Sequence, residues 1–254
     1  MTTEKKQKTQ KAKKRRTTTD MGDLKPLHVK WVRSHCGDKW CVTKKSEQVV
    51  ADIMTEINNR VIKELPALMA SDKKSTLSKE HVSSALAFLA KNAHAWHTAV
   101  NKGGQDAVER LATWEKDHAD DEKRPKDVKG PNTAKKAGLI VSPSRVRKVL
   151  KARRVSNKMS HSSSVYWAGA NESILSDILK RTHDKAMRDR KLRKGQTRMS
   201  LVPNDLSTVV KEDEPYKTLL GGKLSNVLGS AIPAAKRASS ATNKKKKKTA
   251  AATK

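Results

Sequence analysis

The sequence is short of almost everything that builds a large core or a covalent framework. Two cysteines in 254 residues cannot make a disulfide scaffold, and they suit a chain that is intracellular or made inside a cell. Aromatic residues amount to 3%, with a single Phe, and apolar residues to 35%, against roughly 45–50% in an ordinary globular chain. One large core is therefore not expected, and two small cores flanked by solvated segments fit better. The longest apolar run extends only from Ala85 to Ala90, far short of the ~20 residues of a bilayer span. The Lys-rich start lacks the apolar region of a signal peptide. Acidic residues are scarce too: 26 Asp plus Glu face 56 Lys plus Arg, a net charge of +30.

That excess is concentrated at the ends. Residues 1–19 carry eight basic side chains against Glu4, and residues 236–254 carry eight more and no acid, with Lys244 to Lys248 consecutive. Beyond Met1 neither stretch contains a large apolar residue, so neither can offset its ordering entropy by burial. The expectation is disordered arms over 1–23 and 236–254. Polybasic arms meet polyanions, because each neutralised phosphate releases condensed counterions; a solubility tail or a nuclear-import signal is the bland alternative. A third polar segment, 115–136, is dense in charge, contains Pro125, Gly130 and Pro131, and reads as a linker. It separates a first folded unit, 24–114, from a second, 137–235.

Both units follow one helical plan. In the first, Val49, Val50, Ile53, Met54, Ile57, Val61, Ile62, Leu65, Leu68 and Met69 recur at spacings of three and four, one stripe of a helix about 25 residues long. A short segment (Leu27, Val29, Trp31, Val32) precedes it. Another follows from Ser78, a plausible N-cap with Glu80 favourable to the helix dipole. A fourth stretch (Trp96, Ala99, Val100, Ala107, Val108, Leu111) is weakened by Gly103 and Gly104. Pro66 falls inside the long helix, so a kink or an early end near Leu65 is expected. In the second unit a short segment (Val146, Val149, Leu150) leads to a long one (Val165, Ile174, Leu175, Ile178, Leu179, Met187). A short helix at Pro203 to Val210 ends it, the proline suiting a first turn. A long helix with a small one at each end encloses no core alone, so the halves are expected to clasp each other with their long helices crossing.

Sharper chemistry finds little support. His35, Cys36 and Cys41 offer three metal ligands at marginal spacing and no fourth, which favours plain thiols over zinc. His94 and His97, one turn apart near Trp96, read as a helix surface. The five tryptophans show no spacing that would make a base-stacking platform. There is no glycine-rich phosphate loop, His-Glu-x-x-His motif or nucleophile elbow. The expectation is no catalytic residue, no metal, no cofactor, no small-molecule substrate and no membrane contact, hence not an enzyme.

The order of several motifs carries a resemblance. Lys73-Lys74-Ser75-Thr76-Leu77-Ser78, then Ala99-Val100 and Ala107-Val108, resemble the loop, third helix and C-terminal helix of histone 2B. Ala137-Gly138-Leu139, Ser144-Arg145-Val146, Val165-Tyr166, Arg188-Asp189, Thr197-Arg198, Pro203 and Leu219-Leu220-Gly221 follow the order of histone 2A motifs. Gly229 to Pro233 looks like part of the docking segment of that histone. The likeness covers roughly 25–114 and 135–235, and the fusion resembles the histone doublets of giant DNA viruses of the marseillevirus type.

The resemblance implies an all-α protein of two tandem histone folds forming an intramolecular 2B–2A-like heterodimer. It implies DNA-facing positions at Lys44, Lys45, Lys73, Lys74, Ser75, Thr76, Arg145, Arg147, Arg153, Arg154, Lys158 and Arg198, where hydroxyls, helix N-termini and basic groups bind phosphate. Lys158 stands where the family carries Arg, and the loop from Arg190 to Leu201 is several residues longer than in the family. An acidic-patch-like cluster would comprise Glu172, Asp177, Glu212, Asp213 and Glu214, with Lys180 in place of an acid and competing for Asp177. A docking segment would include Leu219, Leu220, Gly221, Gly229, Ile232 and Pro233. The implied function is DNA packaging without base readout, with double-stranded DNA and histone 3–4-like proteins, as a cognate doublet, for partners. The implied locations are the virion and viral factory, or the host nucleus. The rivals are a histone-fold transcription-factor or chaperone subunit, which would read bases, and a basic RNA-binding protein, which would prefer structured RNA.

Overall fold

Amphipathic periodicity decides most of the architecture. The computed structural model describes residues 32, 40–91, 93–118, 132–156, 158–189 and 199–220, and within these the protein is mainly helical. Both arms, the middle of the linker and the start of the first unit lie outside them, apart from Val32, which is helical and buried.

The first half runs β1 (Trp40–Val42), α1 (Lys44–Ser71), β2 (Thr76–Leu77), α2 (Lys79–Ala90) and α3 (His94–Asp117). The second runs α4 (Thr133–Lys136), α5 (Pro143–Ala152), β3 (Lys158–Met159), α6 (His161–Asp189), β4 (Met199–Leu201), α7 (Pro203–Glu212) and α8 (Glu214–Leu220). Thr43 caps α1, its hydroxyl accepting from Ser46 N–H at 3.2 Å. Ser78 caps α2 in an unusual way: its backbone N–H donates to Nδ1 of His81, three residues on, at 3.1 Å, the role a Glu or Gln more often takes. A hydrogen bond from Ser78 and the backbone N–H of Glu80 hold the Glu80 carboxyl below the ordinary carboxylate range. Pro203 occupies the first turn of α7.

Each strand joins the halves. β1 pairs in parallel with β4, and β2 with β3, so the residues before each long helix lie beside the loop that follows the other. Thr43 N–H donates to Leu201 O at 3.4 Å and Ser160 N–H to Leu77 O at 2.9 Å, which makes Thr43 and Ser160 equivalents and sets an offset of 117 between α1 and α6. All ten buried residues of α1, from Ser46 to Met69, have buried counterparts in α6 at that offset. Helix α6 additionally buries Ser164, Val165, Ala168, Gly169 and Leu179, because α3 lies along it and contacts it more than any other pair of elements touch.

Four expectations change. The halves do not keep two separate cores: their buried residues join in one cluster that runs through both, because neither half can enclose its apolar faces alone. Helix α1 does not stop near Leu65 but continues through Pro66 to Ser71; Pro66 is exposed, while buried Leu65 and Met69 on either side tie the last turns to the core. Helix α3 is not interrupted at Gly103 and Gly104. A Cβ on Gly104 would come within 2.6 Å of the Tyr166 ring, and one on Gly169 within 2.7 Å of both Ala107 Cβ and Gly103 O, so these glycines let two backbones approach. The segment read as a linker is partly helical, since α3 reaches Asp117 and α4 begins at Thr133.

Candidate nucleic-acid interface

The two strand pairs stand at opposite ends of α1, about 40 Å apart at 1.5 Å of rise per residue, and each gathers basic side chains. At one end Thr76 lies opposite Lys158. Lys73, Lys74, Ser75 and Thr76 are all exposed. Lys73 adopts φ 52°, and Arg154, on the turn after α5, adopts φ 54°, the left-handed region that side chains rarely enter. The turn is closed by Lys74 N–H to Met69 O at 3.0 Å. The Ser156 hydroxyl lies 3.0 Å from Ser75 O and 2.6 Å from Lys158 O, so one side chain clamps both loops. Arg153, exposed, donates to Asn59 Oδ1 at 3.2 Å across the halves. Arg147 is turned inward: Nη2 donates to Met159 O at 3.3 Å, and Nε is buried without a partner. Arg145 is half-buried on α5. Lys73, Lys74, Arg153, Arg154 and Lys158 therefore share one end of the molecule.

At the other end Lys44 and Lys45 open α1, both exposed. The hydroxyl of Ser46 donates to Leu201 O at 2.7 Å. Arg198 lies outside the described residues, and so do Gly221, Gly229, Ile232 and Pro233. Leu219 and Leu220 are buried on α8 in the common core.

The five acids occur together on α6, α7 and α8 but are spent internally. Glu172 Oε1 accepts from the backbone N–H groups of Ile140 at 2.5 Å and Val141 at 2.7 Å. Asp177 Oδ2 accepts from Arg181 Nε at 2.8 Å and from the Tyr216 hydroxyl at 2.6 Å. Asp213 takes the other side of Arg181 at 3.2 Å, Glu212 pairs with Lys185 at 2.8 Å, and Glu214 with Lys217 at 3.4 Å. The competitor for Asp177 is thus Arg181 rather than Lys180, one residue earlier and exposed. The sequence held the signal, an Asp followed by an Arg four residues later on a helix. Partial burial works against the Arg181 charge, but its bonds to Asp177 and the fields of Tyr216 and Asp213 outweigh it and hold the guanidinium above its usual range. Burial, reinforced by Asp177, pushes the Tyr216 phenol well up.

No family model matches this chain, and no curated protein matches it. Its chemistry is accordingly read from geometry. The ends offer exposed cations, hydroxyls and the start of a long helix, a set suited to phosphate oxygens. The groove between α3 and α4 sets Asp106, Glu109 and Asp117 against Arg110, Lys135 and Lys136, with the Lys136 ammonium 4.0 Å from the centre of the Trp114 ring, so its charges answer each other. His94 is exposed, and His97 Nε2 lies 3.3 Å from Ser83 O. Among the described residues no three His, Cys, Asp or Glu side chains are grouped to hold a metal, and no helix is long and apolar enough to cross a membrane. His35 and Cys36 lie outside them.

Proposed function

We propose that the chain is a single-chain counterpart of the histone 2B–2A pair, a DNA-packaging protein that neutralises and bends the duplex without reading bases. The observation that carries this reading is the pairing of Thr76 with Lys158, which brings the Lys73–Lys74–Ser75 turn of one half against the start of the long helix of the other. A long helix followed by a short one in the first half, and short, long and short helices in the second, joined by such seams, support a reading as two tandem histone folds. The net charge of +30 supports a polyanion partner, and phosphate contacts position a protein without specifying sequence. Duplex DNA and a histone 3–4-like doublet are the proposed partners, the virion and viral factory the proposed locations.

Nuclease digestion of DNA assembled with this chain and a histone 3–4 partner is the test. Discrete protected fragments are expected. A smear would reduce the protein to a nonspecific coat, and preferential displacement of the DNA by structured RNA in competition would favour the RNA-binding alternative.

A further inference from the structure

Helices α1 and α6 share a burial pattern at an offset of 117, but their contact is not chemically symmetric. On one side three buried polar side chains meet, each no more than 3% exposed. Asn58 Nδ2 donates to Met54 O at 2.7 Å and to Asn171 Oδ1 at 2.8 Å. Asn58 Oδ1 accepts from Trp167 Nε1 at 2.8 Å, and Asn171 Nδ2 donates to Trp167 O at 2.9 Å. The offset assigns Asn58 the counterpart Leu175, Asn171 the counterpart Met54 and Trp167 the counterpart Val50, all apolar and all buried. A polar corner thus exists once, and its symmetry mate is hydrocarbon.

We infer that this one-sided amide cluster is a pairing code, which makes the first half accept a second half and reject a second copy of itself. In a pairing of two α1 helices, each Asn58 would face Met54 of the copy. Its amide nitrogen would keep only its own Met54 carbonyl, and its Oδ1 would be buried without a donor. In a pairing of two α6 helices, each Asn171 would face Leu175, and both Trp167 donors would lose their acceptor. Burying an unmet donor or acceptor costs the full desolvation of that group. Volume acts in the same direction, because an interface with one Trp and one Val at equivalent positions would hold two Trp in one case and two Val in the other, overfilling or emptying a close-packed interior. A single buried amide is the best-attested device for fixing the register and partner of packed helices. The inference rests on the fold alone and is independent of the DNA-packaging reading.

Asn171→Met tests it directly, because the variant α6 presents to Asn58 the same residue that a second α1 would. Full-length chains, half of them labelled with nitrogen-15, are unfolded in urea, refolded together over concentrations up to about millimolar, the range of a tethered partner, and then crosslinked. The wild type is expected to scatter light as a monomer, with no crosslinks between α1 of heavy and α1 of light chains. Asn171→Met is expected to give such crosslinks several-fold above the wild type. The apolar triple variant Asn58→Leu/Trp167→Phe/Asn171→Leu, which leaves no group unmet in any pairing, is expected to keep its helical circular dichroism and to mix as well. The inference is overturned if both variants fold and stay unmixed at every concentration, or if the wild type itself mixes. Loss of helix in both variants would overturn it too, since the cluster would then be needed to fold rather than to choose.

Discussion

Gly104 and Gly169 mark the tightest points between α3 and α6, and they reverse the usual rule for helical glycine. Alanine normally stabilises such a position by up to ~1 kcal/mol. Here the added methyl meets the Tyr166 ring or the Gly103 carbonyl at under 3 Å, so Gly104→Ala and Gly169→Ala should each lose about 1–3 kcal/mol by overpacking. At Gly103 the added methyl meets the Ser173 hydroxyl, which can rotate away, and the Ser173 Cβ at 2.9 Å, which cannot, so Gly103→Ala should lose less than the other two, up to ~1 kcal/mol. Urea unfolding of the three variants separates the cases. Tyr166 and Tyr216 are the two tyrosines of the chain, and burial raises both phenols. Absorbance at the tyrosinate band should therefore stay flat through pH ~10, where an exposed tyrosine is half ionised. The unfolded chain gives up these protons first, so this stability is complete below pH ~10 and is lost as pH rises through the folded-state values. The buried positions of the long helices were legible in the sequence because period 3.6 is a local signal. The glycines were misread as breakers because their purpose depends on a backbone more than sixty residues away.

Helix α1 was legible almost residue by residue, since its ten buried positions repeat at three and four. The strands were not, being two or three residues long and defined only by partners in the other half. The acids on α6, α7 and α8 were found as a group; the Asp177–Arg181 pair was signalled by its spacing of four but overlooked, while Arg181–Asp213 and Lys185–Glu212 were not legible, because they join α6 to the far end of α7. Arg181 occupies the place that an incoming guanidinium would take between Asp177 and Asp213. Arg181→Gln should remove the cation between the two carboxylates, leaving Asp177 bound only by the Tyr216 hydroxyl, and raise affinity for a short arginine peptide about fivefold, the equivalent of roughly 1 kcal/mol for a half-exposed charge-assisted bond. A calorimetric titration at fixed salt checks this, and unchanged binding would mean that Lys185 or Lys217 takes over the site.

At the scale of the whole molecule, charge was plain in composition, while the single core that both halves share was not, since it was only inferable from what each half lacked. If the arms are the main electrostatic contacts, deleting 1–19 and 236–254 should flatten the salt dependence of duplex binding, whose slope is about −0.9 per phosphate contact, and leave the helical circular dichroism intact. The two seams also nest within each other along the chain. Ser156 reaches Ser75 across 81 residues, and Ser46 reaches Leu201 across 155. Doubling a loop adds about 0.6 kcal/mol to its closure, and closing the inner seam first shortens what the outer one must span. The chain should fasten from the inside outward, and more slowly than the microsecond-to-millisecond range of helical proteins with local contacts. In stopped-flow experiments Ser156→Ala should chiefly slow refolding, and Ser46→Ala chiefly hasten unfolding. A protein whose described residues are mainly helical would then carry the kinetic habit of a β-sandwich, with its outer clasp the last part to close and the first to open.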